Sequence, residues 1–105
     1  MSVTSDPHAE LFERLVETVL EGPGELGPAV RRAAAEGGDV PEEFRPYLDK
    51  VARHAYKTTD EDVDALRAAG YSEDQIFEAT VSCALGACRR RLDAGLTAID
   101  AARAR

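Results

Sequence analysis

Glu43, His54 and Lys57 are the side chains with which this 105-residue chain could move protons. Histidine titrates near neutral pH and suits general acid–base work. A lysine stripped of water can serve as an acid or form a Schiff base, and a glutamate can share the proton. Each residue also has a plain structural role: His54 can close a helix against a carbonyl, Lys57 suits a solvated C-terminal end, and Glu43 suits a first turn. Tyr56, between His54 and Lys57, reads as a packing residue with a hydrogen-bonded hydroxyl. Glu43 lies eleven residues before His54, about 16 Å away on a continuous helix. The two meet only if Pro46 redirects the chain or if they come from different subunits.

Other reactive types are accounted for more simply. Asp60, Glu61, Asp62 and Asp64 imitate the start of a calcium loop, but Ala65 stands at its sixth position and Tyr71 at its twelfth. Acids in the first turn of a helix explain them. His8 and His54 are the only histidines, too few for a histidine-rich zinc or iron site. There is no Glu-x-x-His pair, no phosphate-cradling glycine loop and no nucleophile elbow. No metal or cofactor is expected. Cys83 and Cys88 lie about 140° apart around a helix and cannot pair within one chain. Both read as buried structural cysteines, and a bridge between subunits is disfavoured in a reducing cytoplasm.

The elements that must position these groups are helical. Asp6 and Pro7 form a start signal, after which Leu11, Phe12, Leu15, Val16, Val19 and Leu20 recur at helical spacing until Gly22-Pro23-Gly24. Pro28 opens a short helix closed by Gly37-Gly38. A turn is expected at 41–45 and a helix from 46 to 57, because Pro46 cannot sit inside one. Thr59 caps the next helix, which stops at Gly70. Ser72 with Gln75 makes a capping box for a last helix over 73–102, about 45 Å long. Its stretch IFEATVSCALGAC is apolar or small on nearly every side, which predicts burial all round, part of it under a subunit interface because one domain of this size cannot surround it. No alternating strand pattern occurs, so the chain is all-α and, by its length, one domain over 1–105.

Composition bounds the partners. With no Trp, three Phe and three Tyr, much of the apolar content is alanine, which buries little area; self-association should supply the rest. The net charge of −7 argues against nucleic acid. The N-terminal residues lack a signal-peptide pattern and no run is long enough to span a membrane, so a cytoplasmic location is expected.

The run DEDVDALRAAGYSEDQIFEATVSCALGACRRRLDAGLTAI resembles the core of the carboxymuconolactone decarboxylase and alkylhydroperoxidase AhpD-like family, with a helix ending in Ala-Ala-Gly and a capped entry into a long alanine-rich helix. The resemblance covers roughly residues 40–100. It implies an AhpD-like helical subunit of about five helices that assembles as a trimer or hexamer. It implies one of two chemistries: dithiol reduction of peroxides or disulfides, or cofactor-free chemistry on a small lactone acid. Counting back from Gly70 places the family's two cysteines at Ala55 and Thr58, its histidine at Asp62, the position between the cysteines at Lys57 and its upstream glutamate at Glu43. Without a thiolate and a resolving thiol the redox couple is absent. The expectation is therefore a decarboxylase-like protein using His54, Lys57 and Glu43 on a small acidic or lactone molecule. The alternative is a non-catalytic, ligand-binding or structural homo-oligomer derived from an AhpD-type peroxidase.

Overall fold

The computed structural model describes residues 7–104, and within them every regular element is helical. Helix α1 runs Pro7–Glu21, α2 Pro28–Glu36, α3 Arg45–Arg53, α4 Asp60–Ala68 and α5 Glu73–Arg103. The expected cap at Asp6 lies outside the described residues, and Pro7 takes the first helical position. Of the apolar residues of α1, Val16 and Leu20 are buried, while Leu11 and Leu15 stay 57% and 51% exposed. The apolar stripe of α1 is wider than the surface the chain offers it.

The connection between α1 and α2 is pinned from two sides. Arg31, 3% exposed, donates to the carbonyls of Leu26 at 2.9 Å, Val19 at 2.8 Å and Gly22 at 2.6 Å. It thereby satisfies the C-terminal end of α1, where the helix dipole favours a cation. From the other side Glu78 of α5 accepts from the backbone amides of Glu25 and Leu26 at 2.9 and 3.0 Å. A Cβ at Gly24 would push the Glu78 carboxylate away from these amides. α2 ends on Gly37, whose φ of 69° is left-handed.

A 3₁₀ turn over Glu42–Phe44 buries Phe44 and leads into α3, with Pro46 in the first turn where its missing N–H costs nothing. α3 is shorter than the 46–57 expected. It ends at Arg53, because His54 (φ −145°, ψ 61°) leaves the helix and lets the chain reverse into α4. The capping box predicted at Ser72 with Gln75 is present, and the expected cap at Thr59 is a second one, closed by Asp62.

The main core joins Leu26, Ala34, Phe44, Leu48, Leu66 and Ile76 around Ala79 and Cys83 of α5. A smaller cluster joins Val16 and Leu20 of α1 to Ala35 and Leu85. The two meet where α2 crosses α5 at Gly86, so closely that an added Cβ would strike the carbonyl of Ala35. Within one chain α5 is buried on one side only: Ile76, Ala79, Ser82, Cys83 and Ala87 face the core, whereas Phe77, Ala84 and Cys88 are exposed. From Leu92 onward every described residue is exposed. Among the described residues no helix is long and apolar enough to cross a membrane.

Candidate functional site

The segment that the resemblance marks for chemistry is a helix junction. Beyond α3 the backbone makes one 3₁₀ turn over Ala55–Lys57, which buries no residue. The His54 amide donates to the Lys50 carbonyl at 2.7 Å and its carbonyl accepts from the Lys57 amide at 2.8 Å, the satisfied helix end its position allows. Ala55 and Thr58, at the cysteine positions, serve the turn: the Thr58 amide and hydroxyl both donate to the Ala55 carbonyl, at 3.1 and 2.8 Å.

Asp62, at the family's histidine position, closes the junction. Its carboxylate accepts from Lys50 Nζ at 2.9 and 3.0 Å, and from the Thr59 amide at 2.9 Å. The Lys50 ammonium and then the Thr59 amide hold its carboxyl below the ordinary carboxylate range. One carboxylate thus ties α3 to α4 and caps α4.

The three proposed proton carriers are all exposed. Tyr56 brings two of them to one place: the His54 ring meets it edge-on at 5.8 Å between centroids, and Lys57 Nζ stands 5.9 Å from the ring centre. Tyr56 itself is 80% exposed, which corrects its reading as a packing residue. Glu43 stands in the turn before α3, and no hydrogen bond or ion pair among the described residues joins it to His54 or Lys57. None of the three lines the cleft between α1, α2 and α5 or the one between α2, α3 and α5.

The cysteines divide. Cys83 is buried and donates to the Leu48 carbonyl at 3.4 Å. Burial pushes its thiol pKa up, against a smaller opposing pull from Arg90. Cys88 is exposed, a correction to the expectation that both are buried. Its side of α5 faces away from the core.

A feature that sequence reasoning missed lies elsewhere, an open cleft of about 760 Å³ between α1, α2 and α5. Val16, Leu20, Ala35 and Leu85 form its floor, and its rim is charged. Most rim charges neutralise one another: Arg89 pairs with Glu13 at 2.7 Å, and Arg32 pairs with Glu21 and Glu36. Among the described residues Glu17, Asp93 and Arg90 line the cleft without an ion-pair partner, Arg90 donating instead to the Ala35 carbonyl, so the unpaired rim charges sum to a net negative. The available signal was the four-residue spacing of Glu13, Glu17 and Glu21, which puts three acids on one edge of α1. The helix that completes the cleft, α5, could not be placed from spacing.

No family model, no curated protein and no solved structure matches this chain. What fold and site define is a class: an all-α chain with a half-covered long helix and no paired thiols.

Proposed function

We propose that this protein is a non-catalytic homo-oligomer of AhpD-like build that binds a small molecule in the cleft between α1, α2 and α5. The observation that carries this reading is the state of residues 54–62. The groups there serve the chain itself, through the Lys50–Asp62 pair and the Thr59 cap, and His54, Lys57 and Glu43 stand in solvent. General acids and bases need a held geometry near the reacting atom, and exposed side chains on a turn lack it. The cleft has the size and the apolar floor of a small-molecule site, with the Glu17 and Asp93 carboxylates favouring a ligand that carries a positive charge beside an apolar body.

A thermal-shift screen against small amines, acids, lactones and hydroperoxides tests this. Amines with an apolar body should raise the unfolding midpoint, and Glu17→Gln should reduce that rise while His54→Ala leaves it unchanged. The second reading, cofactor-free proton transfer by His54 and Lys57 with Glu43, is favoured by the way the Tyr56 ring gathers the first two. A neighbouring subunit laid over that ring would dry the group. Consumption of a lactone or acid by the wild type, abolished in His54→Ala, would replace the binding reading with this one.

A further inference from the structure

We infer that α5 pairs antiparallel with α5 of a second copy, along a seam whose two-fold axis passes at Cys88; this rests on the homo-oligomeric part of the reading above and names its interface. The seam runs through Phe77, Val81, Ala84, Cys88, Leu92 and Ile99. At 100° per residue these positions, with Gly95, fall within an arc of about 80°. None of the side chains is polar apart from the thiol, and the mean spacing lies close to the period of helices that supercoil around a partner. The chain leaves this face bare: Phe77 is 67% exposed, Leu92 47% and Ile99 50%, while Ala84 and Cys88 are also exposed. The last three turns of α5 touch solvent on every side. A helix of that length is marginal in water without a packed face.

The occupant is a second copy because the seam complements itself. With Cys88 opposite Cys88 of the partner subunit, Phe77 meets Ile99 of the partner subunit, Val81 meets Gly95 of the partner subunit and Ala84 meets Leu92 of the partner subunit. The small residues stand where the middle of the seam is tightest, each against a larger one, as interdigitating layers require. The same register sets Asp74, in the first turn of α5, beside Arg103 in the last turn of the partner subunit's α5. A parallel pair would instead set Arg91 against its own copy and Asp74 against its own copy, and like charges in contact oppose association. The seam leaves the cleft free, since Gly86, Arg89 and Asp93 point to other sides of α5. A two-fold axis also decides an open alternative. It fits a dimer or hexamer and does not fit a lone three-fold trimer.

Cys88 gives the register a direct readout. Helices packed 8–10 Å apart, each with Cα atoms about 2.3 Å from its axis, bring facing Cα atoms to about 3.4–5.4 Å, which at the wider spacing is within the span of a disulfide. Diamide can then join the two thiols: each loses a proton and an electron, the sulfurs bond, and the diamide is reduced to its hydrazine. The whole protein, at micromolar concentration, should cross-link to a covalent dimer in the wild type and in Cys83→Ser, and not in Cys88→Ser. Leu92→Glu should lower the cross-linked fraction about tenfold, equivalent to about 1.4 kcal/mol of association. That position is exposed and outside both cores, so circular dichroism should show the fold intact. Arg103→Asp should weaken association, and Asp74→Arg with Arg103→Asp should restore it. Sedimentation should give an even number of subunits. A monomer, a trimer alone, or cross-linking indifferent to Leu92→Glu would overturn the seam. An intact even-numbered oligomer that fails to cross-link through Cys88 would reject this register while leaving the binding reading standing, and loss of amine binding without loss of cross-linking would do the reverse.

Discussion

Arg31 is a guanidinium buried without a carboxylate, compensated by three carbonyls and the C-terminal end of α1. Arg31→Met should cost about 3 kcal/mol, since three charge-assisted bonds go and the helix end is left uncapped; urea unfolding measures it, and Arg31→Lys should recover only part because lysine lacks the planar fork. Asp62 gives a pH signature. Its native pKa is depressed, so its contribution is present above the unfolded carboxylate value of about 3.9 and disappears as pH falls through the lower native value. The midpoint difference between wild type and Asp62→Asn should therefore be largest near pH 7 and close as the pH drops below about 4. These two residues also mark how far residue types could be read. Thr59, Ser72 and Gln75 declared their roles, because a cap acts on backbone three residues away, whereas Asp62 read only as a first-turn acid. Arg31 did not declare its role, because nothing local distinguishes it from Arg32; only the return of α1 against α2 does so.

At the scale of elements, the close crossing of α2 and α5 is the most sensitive joint. Gly86→Ala would drive a methyl group into the Ala35 carbonyl, and separating the helices should cost about 3 kcal/mol, read as a lower midpoint in thermal unfolding. Gly95→Ala, where nothing lies near the added Cβ in a single chain, should leave the subunit's own stability unharmed. The helices themselves were legible: two of the five begin at Pro7 and Pro28, and two more follow the caps Thr59 and Ser72, as capping and proline chemistry require. The end of α3 was not, since Val51, Ala52 and Ala55 continue its apolar spacing beyond Arg53. What stops it is the reversal that brings Asp62 to Lys50, a long-range demand invisible in local pattern. For α5 the sequence pattern implied more apolar surface than one small domain can cover, without saying which residues stay bare.

At the scale of the molecule, an elongated body of 52 × 29 × 20 Å is drawn out by α5, whose 31 residues span about 46 Å. One chain covers its first half on one side, and the described residues from Leu92 onward are exposed. The location of small-molecule binding then separates a carrier from an enzyme. Amide chemical shifts from ¹H–¹⁵N spectra, recorded while the amine with the largest thermal shift is titrated in, decide the matter most directly. The account predicts shifts at Glu17, Ala35, Leu85 and Arg89, with the His54 to Lys57 amides unmoved and the compound unconsumed. Shifts centred on His54 and Lys57, with a compound disappearing from solution, would contradict it.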